Sequence, residues 1–214
     1  MNWAFWERIA PLDGIIAVAF WVAGVVVMSV VGDQPSVDAS PAEALAYFKG
    51  HSGAIQVGGF LLALGALFFI WFLGSLRITL RTAEGGEARV TGIVFAGGVA
   101  VAVLALLLPS GWIAGAVATS NLTAEAAQAL LAIFVGVFFA PELAAAVFVL
   151  AVAALIFQTR VLPVWLGWFG LVVSVGLLAV PIGWLVLLFL FPVWLAATSL
   201  VLYGRARPTA PRVA

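Results

Sequence analysis

Apolar residues in this chain come in long unbroken runs, and the short turns between the runs hold most of the charges. The clearest run is Ala54 to Arg81, in which over twenty apolar residues end abruptly at Arg77 and Arg81. A hydrocarbon core about 30 Å thick needs about twenty such residues at helical rise, so the run predicts a membrane-spanning helix. Arginines just past its end mark that end as cytoplasmic.

The other runs can be oriented from this one. Trp3 and Trp6, beside Arg8, are placed as interfacial anchors ahead of a first span over Gly14 to Val31, with Pro11 at the helix start and Asp13 in the first turn. The run is long for the apolar part of a signal peptide, and no small-residue cleavage site follows it. In the outer loop Gly32 to Gly53, Ser40-Pro41-Ala42-Glu43 is a capping box and predicts a short helix from Pro41 to Lys49, stopped by Gly50. Leu45 and Phe48 share one face of it, so this amphipathic helix is expected on the outer membrane surface or against the bundle. After the second span the chain turns at Gly85-Gly86. The third span begins near Val90, is apolar through Leu108, and can continue past a kink at Pro109 to Ala118. Thr123 reads as an N-cap, and from there one helix is expected to bend at Pro141 and cross to Arg160, forming a protruding outer helical hairpin with its predecessor. A fifth span, Val164 to Val180, and a sixth, Trp184 to Tyr203 with Pro192 in its middle, flank a tight turn at Pro181-Ile182-Gly183.

The expected fold is therefore all-α, a polytopic transmembrane bundle of six spans with both termini cytoplasmic. Residues 1–204 form one domain and residues 205–214 a short cytoplasmic tail. Arg8, Arg77, Arg81, Arg89, Arg160, Arg205, Arg207 and Arg212 then fall inside, and only Lys49 outside. That bias places the protein in the cytoplasmic (inner) membrane as a multi-pass protein.

Composition changes the picture mainly by exclusion. The 214 residues are 65% hydrophobic and 8% charged, against about 25% charged in soluble domains, so lipid must cover most of the surface. A formal net charge of zero provides no basic field for nucleic acid. Cysteine is absent, which excludes disulfides, iron–sulfur clusters and thiol nucleophiles, and a single histidine cannot build a multi-histidine metal centre. No cofactor or metal is expected.

Tyr47-Phe48, His51, Gly59-Phe60-Leu61, the run Leu67 to Gly74, Leu76-Arg77, Leu80-Arg81, Ala83-Glu84-Gly85-Gly86 and Leu162-Pro163-Val164-Trp165-Leu166-Gly167-Trp168 carry a resemblance. The chain resembles a group of small six-helix bacterial integral membrane proteins to which no activity is assigned. The resemblance implies the topology and carries over no catalytic residue.

Glu142 is the most informative position for chemistry. It lies about 26 Å of helix above Arg160, just inside the outer hydrocarbon boundary, and an intramembrane acid is a functional candidate by default. His51 and Gln56 fall at the same level, so His51 is the expected partner, with Lys49 as the alternative. Such a cluster could bind a polar head group or relay a proton. The competing reading is that Glu142 follows Pro141 in a restarted first helical turn and faces interfacial water. Arg77, Arg81 and Arg89 could hold anionic lipid heads, although topology alone explains them.

No nucleophile triad, phosphate loop or paired-carboxylate motif is present. The favoured expectation is a non-catalytic membrane protein, an accessory or scaffold subunit or a lipid-associated small-molecule binder. The alternative is a small transporter or proton-coupled channel using Glu142 and His51, and a less favoured one is an intramembrane lipid-modifying enzyme. Expected partners are membrane lipids, a membrane-protein partner or a second copy of the chain.

Overall fold

The computed structural model describes residues 3–30, 32, 34–36, 38–179 and 181–205, with side chains at all of these except 3–5, 134 and 135. The side chain of Trp3, the span ends Val31 and Val180, and the tail with Arg207 and Arg212 lie outside that description.

The described residues are helical and contain no strand: α1 (Trp3–Ile9), a 3-10 turn (Ala10–Leu12), α2 (Asp13–Val30), α3 (Pro41–Glu84), α4 (Arg89–Leu107), α5 (Ser110–Val117), α6 (Ala124–Val137), α7 (Phe139–Thr159), α8 (Val164–Leu178), α9 (Gly183–Leu185), a π-helical turn (Val186–Leu190) and α10 (Phe191–Arg205). Among the described residues five helical stretches are long and apolar enough to cross a membrane: Trp6–Val30, Pro41–Glu84, Arg89–Val117, Phe139–Thr159 and Gly183–Arg205. These are the helices of a multi-pass membrane protein. α8 is apolar too but only 15 residues long.

Local chemistry explains most boundaries. Ser40 accepts from the Glu43 amide while the Glu43 carboxylate accepts from the Ser40 amide, so the capping box forms with Pro41 at the first helical position. The expected stop at Gly50 does not occur. Glycine weakens a helix by about 1 kcal/mol without removing a donor, so α3 continues for 44 residues and only kinks at His51 (φ −121°, ψ 15°). The kink has a visible cause: His51 Nδ1 donates to the Tyr47 carbonyl at 3.0 Å, inserting a side chain into the i to i−4 ladder.

Prolines set the other breaks. Pro141 has no N–H for the Val137 carbonyl and its ring crowds that position, so α6 ends at Val137 and the bend falls at Phe138 rather than at the proline. Pro192 stands four residues after Leu188, inside the π-helical turn, where the Phe191 amide reaches back to Val186. Pro109 separates α4 from α5.

Six helices meet in one layer of rings. Phe69 of α3 lies edge-on to Phe148 of α7 at 5.6 Å, Trp21 of α2 is 5.6 Å from Phe69, and Trp194 of α10 is 5.8 Å from Phe148. α4 joins where Gly97 meets the Phe148 backbone, and α8 joins where Trp194 Nε1 donates to the Leu166 carbonyl at 3.2 Å. Small residues let α2 and α3 approach closely: a β-carbon on Gly24 would lie 2.8 Å from the Gly58 carbonyl oxygen, and one on Gly65 would lie 2.4 Å from the Trp21 ring. A second core gathers Ala44, Tyr47, Phe48, Ile55, Trp112, Ala116, Ala127 and Leu131, so the start of α3 packs on α5 and α6. Gln128 ties this unit to the preceding loop by donating to the Ala39 carbonyl. Large apolar side chains remain on the outside, Trp71 at 72% and Ile78 at 71% exposure, a surface suited to lipid rather than water.

Candidate functional site

The break forced by Pro141 puts Glu142 in the first turn of α7. Its side chain does not reach the open surface: the residue is only 5% exposed. The carboxyl lies against Gly183, where an added β-carbon would sit 2.4 Å from Glu142 Oε2. Only glycine leaves that space. Among the described residues no hydrogen bond or ion pair reaches this carboxyl.

Glu142 lines a cavity of about 640 Å³ together with Val25, Met28, Ser29, Gln34, Leu62, Leu108, Pro109, Trp112, Phe138, Phe139, Trp184 and Leu188. A second cavity, about 360 Å³ and apolar, lies beside it and shares Val25, Leu62, Leu108, Phe138 and Leu188. The shared walls make the two spaces one cleft. Val22, Val26 and Phe189, which line the apolar part, are 51%, 51% and 63% exposed, so the cleft opens sideways at the outside of the bundle. Ser29 Oγ donates to the Val25 carbonyl at 2.8 Å and so presents only lone pairs to the space.

The other candidates stand elsewhere. His51 is half-buried at the kink of α3, its ring 4.8 Å from that of Tyr47, and it does not line the cleft. Lys49 and Gln56 are exposed. Among the described residues no hydrogen bond or ion pair joins His51, Lys49 or Gln56 to Glu142, so the structure does not bring the expected cluster into contact. Nor does Glu142 face open interfacial water, the competing expectation; it faces the cleft.

Arg77, Arg81 and Arg89 are exposed around the α3–α4 turn, with the Arg77 guanidinium 4.8 Å over the Phe95 ring. Glu84 organises this turn, accepting from the Val90 amide at 2.9 Å, the Thr91 amide at 2.8 Å and the Thr91 hydroxyl at 2.6 Å. Partial burial would raise its pKa, but these hydrogen bonds outweigh that and hold the carboxyl below its ordinary range. At the same end of the bundle Arg205 donates to the Val161 carbonyl. Among the described residues no three His, Cys, Asp or Glu side chains are grouped to hold a metal ion.

No protein-family model matches this chain, and neither a curated protein nor a solved structure is similar to it.

The functional reading therefore rests on the cleft. On its remaining wall, Gln34, Trp112 and Trp184 go beyond the residues expected from sequence. The prolines signalled the space: Pro109, Pro141 and Pro192 each interrupt a helix, and each lines the cleft.

Proposed function

We propose that the protein is a six-span protein of the cytoplasmic membrane, both termini inside, which binds a lipid-like amphiphile in its lateral cleft and catalyses no reaction on it. The observation that carries the binding reading is the adjacency of an apolar, sideways-open space to a buried carboxyl that has no partner among the described residues. An alkyl chain fits the apolar part, and a polar head fits the end at Glu142.

Ser29, the hydroxyl on the cleft wall, donates to its own helix rather than to a base, and no metal ligands are grouped among the described residues, which favours binding over turnover. Transport is disfavoured because most buried hydroxyls among the described residues already have acceptors: Thr198 donates to the Trp194 carbonyl, Ser199 to the Pro11 carbonyl and Thr91 to Glu84, while Ser174, buried without a partner, does not line the cleft. For the topology, α8 supplies the sixth crossing. It packs antiparallel on α7 through Gly167 and Gly170 and shares the ring layer with the longer helices. Six crossings keep the arginine-bearing turns on one side.

Native mass spectrometry of the protein extracted in a mild neutral detergent tests the binding reading. A lipid-like molecule retained by the wild type and lost when Val25→Trp fills the cleft supports it; a wild type that retains none overturns it. Because the chain has no cysteine, single cysteines introduced at Gly86 and Ser120 test the topology directly. Labelling of Ser120→Cys from outside and Gly86→Cys from inside is expected, and the reverse pattern refutes the orientation.

A further inference from the structure

The carboxyl of Glu142 states the charge of what it awaits. We propose that the head selected by the cleft is an ammonium group carried on an alkyl or acyl chain. This inference rests on the amphiphile-binding reading above and names its ligand class.

Three observations converge. First, among the described residues Glu142 is the only ionisable one on the cleft wall, is 5% exposed and has no hydrogen bond or ion pair. A buried carboxylate is costly unless a cation or a proton accompanies it. Among the described residues no Lys, Arg or His lines the space, so the compensating charge comes from a proton or from a ligand; a cationic head supplies it and also fills the space, whereas an anionic head would meet the carboxylate without compensation.

Second, the rest of the deep wall offers acceptors and ring faces. The Ser29 hydroxyl proton is engaged by the Val25 carbonyl, which leaves lone pairs. An ammonium N–H donates to those lone pairs.

Third, Trp112, Trp184, Phe138 and Phe139 line the same space as the carboxylate. Aromatic faces around an acid form the environment in which an alkylated ammonium is held by cation–π attraction. The indole N–H groups are donors too, but they are neutral, and the carboxylate sets the sign. The apolar arm of the cleft, running past Trp21, Val22 and Val101, then takes the chain.

The test is a native mass spectrometry titration of the full chain in dodecyl maltoside. Dodecylammonium, whose head carries N–H donors, is compared with dodecanol and dodecanoate, which share its chain and differ in the head. The wild type is expected to hold the ammonium at least roughly tenfold more tightly than the alcohol, as befits one charge-assisted contact. Glu142→Gln is expected to abolish that preference, bringing the ammonium's affinity down to that of dodecanol.

Should Glu142→Gln fail to fold, Trp184→Leu, at a residue 47% exposed on the rim, is expected to reduce the same preference. Lysophosphatidylethanolamine against lysophosphatidylglycerol identifies the source. Preference for the ethanolamine lipid makes the ligand a membrane lipid, and preference for the free alkylammonium alone makes it a soluble cationic amphiphile; both support the inference. Equal or tighter binding of dodecanol or dodecanoate overturns the ammonium assignment and leaves the amphiphile reading standing. Binding of none of the probes, with no retained molecule from the membrane, overturns both.

Discussion

Replacing Gly183 with alanine would put a methyl group where the Glu142 carboxyl already sits. The new β-carbon would lie 2.4 Å from Oε2 and 2.9 Å from the carboxyl carbon, and also 2.9 Å from the Leu177 carbonyl oxygen. The first two contacts belong to a side chain that can swing into the cleft; the third belongs to backbone that cannot. Alanine gains about 1 kcal/mol of helix propensity over glycine, while overpacking of this kind costs about 1–3 kcal/mol. The net loss should be about 1 kcal/mol. In a Glu142→Ala background the two carboxyl contacts vanish and only the Leu177 backbone contact remains, so the same substitution should cost less, a coupling of about 0.5 kcal/mol between the two sites. Reversible unfolding in mixed micelles of a denaturing and a neutral detergent, followed by circular dichroism for the four members of the cycle, measures it. Equal costs of Gly183→Ala in both backgrounds would refute the seating of the carboxyl against residue 183, and with it the shape assigned to the polar end of the cleft.

Four further perturbations probe the frame of the bundle. Gly58→Ala would place a β-carbon 2.5 Å from Met28 Cγ and 2.9 Å from the Gly24 carbonyl oxygen, so the α2–α3 contact should lose about 1–3 kcal/mol. Gly74→Ala, with nothing within 4 Å, should be neutral or stabilising in the same unfolding assay. Ala88 holds a left-handed conformation (φ 50°, ψ 47°) ahead of α4, and Ala88→Gly should stabilise by about 0.5 kcal/mol, seen as a higher melting midpoint. Glu84 has a folded-state pKa below its ordinary value of 4.5, so its contribution is complete above that value and is lost as pH falls through the lowered one. An acid-limb titration of stability should show that loss in the wild type and not in Glu84→Gln.

Much of the frame could be read directly. Ser40 and Glu43 identify their capping box by type and spacing, Thr123 caps α6 by accepting from the Ala126 amide, and the long apolar runs are long helices. Gly50 misled because a glycine only lowers helix stability, and the packing of Tyr47 and Phe48 on α5 and α6 carries the helix through it. Spacing along a helix gives depth but not azimuth. Glu142 and His51 were therefore expected as partners by level alone, whereas the ring nitrogen of His51 turns to its own helix at Tyr47 and the Glu142 carboxyl turns toward Gly183. Trp112 and Trp184 are 72 residues apart in sequence, with no pattern linking them, and only the folded bundle puts both on one wall.

The position of the cleft follows from where the helices are interrupted. A bundle this apolar has small residues enough to close on itself, and α2 and α3 do so at Gly24, Gly58 and Gly65. Closure of that kind needs unbroken helices running side by side. Pro109, Pro141 and Pro192 deny it to α4, α7 and α10, since each removes a backbone donor and crowds the turn before it, and all three stand on the cleft wall. The same defect that opens the space delivers its chemistry. The restart after Val137 places Glu142 in a first turn. A carboxyl kept in apolar surroundings without a protein partner lowers stability, so Glu142→Leu should raise it by about 1 kcal/mol and abolish the preference for an ammonium head. If that variant were instead less stable than the wild type, the carboxyl would be a structural element of the fold rather than a group held in readiness for a ligand.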